Sequence, residues 1–124
     1  MTGVTIRKDT RVLRRMITGT PEQLNRAVLA AAIDVNSEIV LSFGTSPSAP
    51  GDPPGVDTGA LRASMKAEKG DQDMTAIVYA GVEYAPYLEF GTERMAARPF
   101  FTPVLLRWER GEFARFLKDF GVVR

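Results

Sequence analysis

The 124-residue sequence contains neither cysteine nor histidine. Without cysteine there are no disulfide bonds, no thiolate nucleophile and no thiolate-ligated metal. Without histidine the chain lacks the side chain that most often acts as a general base near neutral pH, which is also the commonest metal ligand. We therefore expect no enzymatic activity, no cofactor and no metal site.

A charge excess of one sign and long apolar runs are also missing. Sixteen Lys and Arg residues offset fifteen Asp and Glu residues, and the net charge of +1 is too small to predict general attraction to DNA phosphates. No run approaches the ~20 apolar residues of a membrane span, and the first residues lack the apolar core of a signal peptide. We expect a single domain over residues 1–124, made in the cytosol and without a membrane partner.

Capping signals and apolar periodicity predict two long helices. The sequence Thr20-Pro21-Glu22-Gln23 combines an N-cap, a proline at the first helical position and the Gln of a capping box. The helix predicted over about residues 21 to 43 carries an apolar stripe of Leu24, Val28, Ala31, Val35 and Ile39. A C-terminal helix is predicted to end at Gly121, with Gly111 weakening its middle. Its apolar positions are Leu105, Trp108, Phe113, Phe116, Leu117 and Phe120.

The remaining periodic segments predict short elements. Val4 and Ile6 alternate with polar residues, which indicates a short strand, and a brief helix is expected from residue 9 or 10 to Gly19. Residues 64–69 and 74–80 predict two strands that pair as an antiparallel hairpin, with Met65 and Ala67 on one face.

Two turn-rich segments flank this hairpin. Asp57 and Thr58 offer a helix cap before about one helical turn at residues 60–63. In Tyr84–Phe90, Pro86 suits the first turn of a short helix that Gly91 would end, and a strand stays open as an alternative there. Together the elements predict an α+β fold, in which a small antiparallel β-sheet packs against a long helix and a C-terminal helix.

A long loop separates the first long helix from the sheet. Gly44–Val56 contains four prolines and three glycines, which interrupt regular backbone hydrogen bonding. Long loops in compact domains are often functional or disordered. Two interpretations stay open, a tolerated surface insertion or an arm that orders against a neighbouring subunit.

Catalytic and nucleotide-binding motifs are weak in this chain. Asp52 and Asp57, or Glu83 and Glu89, could form acid pairs of a small hydrolase, but nothing places the two carboxylates of either pair in different environments. The glycines from Gly51 to Gly59 lack the Lys and Ser/Thr of a phosphate-binding loop. The hydrolase remains an alternative that a substrate- or metal-dependent thermal shift would support.

One local basic cluster offers a second alternative. A small nucleic-acid-binding module would use these side chains, and the competing interpretation is a solvated helix face. The module predicts retention on DNA at low salt that disappears when the cluster is changed to Ala. The cluster consists of Arg7, Lys8, Arg11, Arg14 and Arg15.

Aromatic and charged residues concentrate between positions 79 and 101. The aromatics there more often form a core or a subunit interface than a base-stacking platform. Because a guanidinium can hold a carboxylate through two hydrogen bonds, Glu89 is expected to pair with Arg62 or Arg98.

Three segments in order resemble the head-tail joining, or tail-completion, family of siphophages and related prophages. They are Val56–Ser64 (VDTGALRAS), Tyr84–Thr92 (YAPYLEFGT) and Met95–Phe100 (MAARPF). The resemblance extends in element order over about residues 1 to 120. Phe101 and Val104 depart from it, since members often carry Leu and Ala there.

This resemblance implies a structural virion protein that forms a ring, expected to be a hexamer, at the neck of a long-tailed phage. The implied partners are further copies of the chain, the tail tube protein and the head connector, with DNA passing through the lumen without sequence-specific binding. The protein is expected in the host cytoplasm during assembly and in the virion afterwards. The candidate interface residues are Pro50, Pro53, Pro54, Arg62, Tyr84, Tyr87, Glu89, Phe90, Arg94, Met95, Arg98 and Phe100.

Overall fold

The computed structural model of the protein describes residues 3–4, 18–43, 50 and 59–123. Helices pack on one face of a small antiparallel sheet, which confirms the predicted α+β class. In chain order the described elements are β1 (Gly3–Val4), α1 (Pro21–Ser42), α2 (Gly59–Ser64), β2 (Met65–Lys69), β3 (Ala76–Ala80), α3 (Ala85–Phe90), α4 (Thr102–Arg107), a π-helical turn (Trp108–Glu112) and α5 (Phe113–Phe120).

Some predicted elements lie outside the described residues. These are Ile6 of the first strand, the brief helix before residue 18, the loop of residues 44–56 apart from Pro50, and the cap at Asp57 and Thr58.

Helix α1 begins where the capping box predicts. The Gln23 N–H donates to Thr20 Oγ1 at 3.2 Å, and the Thr20 N–H donates to Gln23 Oε1 at 2.9 Å. Both N–H groups would otherwise lack a partner at the helix end. The predicted stripe is largely confirmed, although Val28 is only half-buried and Ala27 takes the inward position beside it. The buried residues of α1 are Leu24, Ala27, Ala31, Ala32, Val35 and Ile39.

Replacing the cap residue by Thr20→Ala is expected to lower the free energy of unfolding by about 1 kcal/mol, because the Gln23 N–H loses its acceptor. Urea denaturation followed by the fluorescence of the single tryptophan, Trp108, measures this change. Thr20→Ser keeps the hydroxyl and should unfold nearly as the parent does. Equal stability of the Ala and Ser variants would show that the cap contributes nothing.

The sheet has the strand order β1-β3-β2, and both pairings are antiparallel. The hairpin register pairs Met65 with Ala80 and Lys69 with Ala76, so the predicted hairpin is confirmed. Strand β3 starts two residues later than predicted, since Met74 has a left-handed backbone (φ 60°) and its N–H donates to Asn25 Oδ1 on α1 at 2.6 Å.

The two faces of the sheet differ in character. Met65 and Val78 are buried beneath the helices and Ala67 packs partly against them, which confirms the predicted common face of Met65 and Ala67. On the other face the Tyr79 hydroxyl donates to Glu68 Oε1 at 2.7 Å. Among the described side chains of β2 and β3, those that belong to the core cluster all lie on the first face.

The core divides into two clusters along α1. The larger one joins the C-terminal half of α1 to the sheet, α3 and α4, and it includes Phe43, Phe100 and Trp108. The smaller one joins the start of α1 to the end of the chain through Leu24, Ala27, Leu117, Val122 and Val123.

The predicted C-terminal helix is present but kinked. Gly111 has non-helical backbone angles (φ 164°, ψ −23°) within the π-helical turn, as expected for the weakest helix former in this stretch. The helix ends at Gly121, which has a left-handed conformation (φ 91°). The bend keeps both halves against the core, with Val104 and Trp108 buried before it and Leu117 after it.

Candidate assembly interface

Helix α3 divides its side chains between the core and the solvent. Pro86 lies in its first turn and Gly91 ends it, which confirms the helix and excludes the alternative strand. Ala85 and Glu89 point inward, one helical turn apart. The outward side carries what we call the aromatic patch, made of Tyr84, Tyr87 and Phe90, whose exposed fractions are 39%, 58% and 72%.

The carboxylate of Glu89 fixes α3 to the start of α4. This side chain is only 5% exposed. Its Oε2 accepts the backbone N–H groups of Phe100 and Phe101 at 2.7 and 3.1 Å. Its Oε1 accepts the Thr102 N–H at 2.8 Å and also the Thr102 hydroxyl. The acidic side chain thus occupies the N-terminal end of α4, where free N–H groups favour negative charge.

These donors were not anticipated from the sequence. The expected arginine partner reflected the general preference of guanidinium groups for carboxylates, whereas the structure gives Glu89 backbone amides and a hydroxyl. The only sequence signal was that Glu89 stands alone among apolar residues, eleven to thirteen positions before the start of a helix. Pairing with Arg62 or Arg98 stays a prediction.

The segment between α3 and α4 is held by its own backbone. Thr92 and Met95 exchange hydrogen bonds, with Thr92 N–H to Met95 O at 2.8 Å and Met95 N–H to Thr92 O at 3.3 Å. The Arg94 N–H donates to Thr92 Oγ1 at 3.2 Å, and the Arg98 N–H donates to Leu88 O at 2.6 Å. The aromatic patch therefore borders a hydrogen-bonded turn that carries exposed Arg94 and half-buried Met95.

The same connection requires glycine at position 91. Gly91 has φ +76° and ψ 175°, a region that is almost restricted to glycine. A Cβ there would lie 2.8 Å from Ala97 N and 2.9 Å from Met95 O. Both atoms belong to the backbone, so neither can move without displacing the turn.

We expect Gly91→Ala to destabilise the protein by about 2 kcal/mol, since the unfavourable φ and the backbone contact act together. Thermal unfolding followed by circular dichroism checks this value. Gly59→Ala is the matched control, because a Cβ at Gly59 meets nothing within 4 Å. The explanation fails if both variants unfold at the temperature of the parent.

A second exposed apolar position lies at the end of α1. Leu41 is 82% exposed beside an open groove of about 480 Å³ that also contacts Ser42, Pro103 and Val104. At its edge, Glu38 Oε2 accepts from Arg107 Nη2 at 2.6 Å and from Trp108 Nε1 at 2.9 Å. The sequence analysis did not single out Leu41 as an exposed leucine. Its position could have indicated exposure, because the inward series of Val35 and Ile39 continues three or four residues later and passes over residue 41.

The structure separates the predicted interface residues into groups. The three aromatics of the patch lie on one side of α3, and exposed Arg94 is nearby in sequence on the turn. Arg62 on α2 and Pro50 are also exposed, whereas Arg98 is half-buried and Pro53 and Pro54 lie outside the described residues.

Two of the predicted interface residues lie in the interior of the chain. Glu89 and Phe100 are both buried within the subunit, and Phe100 is only 1% exposed. The carboxylate of Glu89 binds the start of α4, which draws the neighbouring Phe100 ring into the core. A direct part of either residue in a contact between subunits stays a prediction.

Across the described residues we find no group of three or more acidic side chains that could hold a metal ion. No helix of the described part of the chain has the length and hydropathy of a membrane span.

The structure is that of a small α+β protein that presents aromatic rings beside a hydrogen-bonded turn. Residues 8–91 match the model of the HK97-gp10-like family, whose description is that of a bacteriophage tail component. The protein belongs to this family and is a structural phage protein of the virion tail. The match confirms the resemblance inferred from the motifs. The matched range contains the first motif, Val56–Ser64, and the Tyr84–Gly91 part of the second motif. Neither the curated proteins nor the solved structures contain a match to the chain.

Proposed function

We propose that the protein is a ring-forming subunit of the phage neck, a head-tail joining or tail-completion protein between the tail tube and the head connector. Membership in the family supports a role as a component of the phage tail. The exposed aromatic patch is the observation that supports oligomerisation. Tyr and Phe are enriched at the centres of protein interfaces and bury a large area with few rotatable bonds. The core clusters of the described residues include none of these three rings.

The ring requires head-to-tail contacts, in which one surface of a copy meets a different surface of the next. The aromatic patch is one of these surfaces, and residues 44–56 are the candidate for the other. Partners above and below the ring would be the head connector and the tail tube. The balanced net charge of +1 suits a lumen in which DNA slides rather than binds.

The proposed assembly is tested by adding the purified protein to tail tubes of the phage that encodes it. Electron microscopy should show an additional ring at one end of each tube, and sedimentation should show the protein moving with the tubes. The free protein can be monomeric without contradicting the proposal, because a template surface can trigger ring formation. A protein that stays monomeric and ignores both tubes and capsids would exclude the neck function.

The aromatic patch gives the test a specific variant. Tyr87→Ala should reduce ring formation without loss of folding, since the side chain is mostly exposed. Phe120→Ala is the control, because Phe120 is also an exposed aromatic (45%) but lies on α5. Equal loss of assembly in both variants would indicate a general effect of apolar surface rather than a contact at α3.

The alternative functions have less support. The basic cluster from Arg7 to Arg15 lies outside the described residues, so no described contact favours a nucleic-acid module. Of the acids considered for a hydrolase, Glu89 is occupied by the start of α4.

A further inference from the structure

Strand β2 lies at an edge of the sheet, and half of its backbone groups point away from β3. The Gly70 N–H donates to Thr75 O at 2.9 Å, and the Gly81 N–H donates to Ser64 O at 3.1 Å. In an antiparallel ladder, residues that bond the partner strand alternate with residues whose N–H and C=O groups point away. The even-numbered residues of β2 therefore bond β3, and the odd-numbered residues turn their backbone groups outward. These are Met65, Ala67 and Lys69.

The outward groups of β2 are available for pairing with another strand. In the described part of the chain, no backbone hydrogen bond outside the β2–β3 ladder reaches this strand from its outer side. Lys66 and Glu68, whose side chains lie on the face of the sheet away from the core cluster, are both exposed. Edges of this kind can accept a strand of a second chain.

The sequence of β2, Met-Lys-Ala-Glu-Lys, is complementary to itself when two copies run antiparallel. With Ala67 opposite the second copy's Ala67, each Lys66 faces a Glu68. The same register places outward backbone groups opposite each other, Ala67 with Ala67 and Met65 with Lys69, as hydrogen bonding between the strands requires. Lys66 and Glu68 then occupy the positions without backbone bonds, where opposite side chains lie closest.

The neighbouring registers are unfavourable. A shift of two residues keeps the backbone pattern but places Lys66 opposite Lys66, or Glu68 opposite Glu68, and like charges in opposite positions are destabilising. A shift of one residue places outward backbone groups opposite groups that already bond β3. Charges on an edge strand usually oppose pairing between copies, whereas the order of charges here opposes only the shifted registers.

We propose that the free protein forms a two-fold dimer through the β2 edges, which joins two three-stranded sheets into one continuous sheet. Both copies use the same strand, so this contact differs from the head-to-tail contacts of the proposed ring. The Tyr79 hydroxyl donates to Glu68 Oε1 at 2.7 Å and holds the carboxylate on the face where it meets the second copy's Lys66. The dimer covers the open edge of each free subunit before assembly.

Charge reversal tests this contact. Lys66→Glu and Glu68→Lys each place like charges opposite each other twice, because of the two-fold axis, and each should weaken dimerisation on the order of tenfold. Sedimentation equilibrium of the free protein over a range of concentrations measures the change. An equal mixture of the two variants should form heterodimers about as tightly as the parent dimerises, because every Glu then faces a Lys. The matched control is Lys118→Glu and Asp119→Lys, two exposed reversals on α5 that should not change dimerisation.

The absence of native cysteine allows the register to be measured directly. Lys66→Cys and Glu68→Cys, mixed and oxidised, should form a disulfide between copies, since the Cα atoms of such a pair lie about 4.5 Å apart. Lys66→Cys alone should give far less, because its two thiols lie on a diagonal of about 7–8 Å. Equal yields from the mixture and from Lys66→Cys alone would exclude the proposed register.

The dimer and the ring can fail separately. A parent that is monomeric at every concentration, single reversals that dimerise as the parent does, or a mixture that stays monomeric would overturn the dimer. None of these measurements uses tail tubes, so each of these results leaves the neck function standing. Tyr87→Ala should dimerise as the parent does while its ring formation is reduced, which separates the β2 edge from the aromatic patch.

Discussion

Replacing Glu89 by Ala is expected to destabilise the protein by about 3–5 kcal/mol. The substitution removes the acceptor of three backbone N–H groups, those of Phe100, Phe101 and Thr102, and of the Thr102 hydroxyl. A buried donor left without a partner costs about 1–3 kcal/mol. We expect the total loss of stability to be smaller than the sum of these costs. Thr102 lies at the surface, where water can accept the hydrogen bonds that the carboxylate no longer accepts.

Glu89→Gln should fall between Ala and the parent. Both carboxylate oxygens act as acceptors here, whereas an amide offers one oxygen and turns an NH2 group toward the remaining donors. Urea denaturation followed by Trp108 fluorescence measures all three proteins. Glu83→Ala serves as the control for loss of a glutamate, since Glu83 is exposed and should change stability by less than about 0.5 kcal/mol. Glu89→Ala with parental stability would refute this role of the carboxylate.

Phe100→Ala is expected to cost about 3–5 kcal/mol through the loss of buried apolar surface and the cavity that remains. The Phe100 ring contacts Phe43 edge-on with centroids 5.7 Å apart, and its centroid lies 4.8 Å from that of Phe101. Neighbouring core residues are fixed by the sheet and α1 and can fill the space only in part.

Phe90→Ala makes the same chemical change on the aromatic patch. It should affect assembly and leave stability nearly unchanged, whereas Phe100→Ala should lower stability. Its ring is largely exposed, so the free energy of unfolding should change by less than about 0.5 kcal/mol. Ring formation on tail tubes should weaken instead, as for Tyr87→Ala. Chemical denaturation and sedimentation with tubes, applied to both variants, separate stability from assembly. If Phe90→Ala unfolds as readily as Phe100→Ala, the assignment of Phe90 to a free surface is wrong.

Much of the fold follows from signals that act over a few residues. The capping box at Thr20, the end of α3 at Gly91 and the interruption at Gly111 all appear where the sequence predicts them. The capping box acts through hydrogen bonds within one helical turn, Gly91 through a positive φ that other residues disfavour, and Gly111 through the low helix propensity of glycine. The family resemblance was also recognisable from short motifs in order.

The candidate site was only partly predictable. Phe90 and Phe100 are both phenylalanines that stand among apolar residues in the sequence. In the structure, however, Phe90 is exposed and Phe100 lies in the core. The difference arises because Glu89 binds the amides eleven to thirteen residues onward, which requires the turn at Thr92–Met95 to reverse the chain. The spacing of apolar residues within a single helix or strand does not predict a contact that forms across such a turn.

The amino-acid sequence is sufficient for the α+β class, the ends of the long helices, the hairpin and the absence of thiol and imidazole chemistry, because these depend on composition and local backbone preferences. Tertiary structure alone decides that Glu89 is a buried anchor, that Phe100 belongs to the core and that Tyr84, Tyr87 and Phe90 remain outside. Those outcomes depend on which distant residues meet when α3 and α4 pack on the sheet, since burial is a property of the packed chain and not of the residue type.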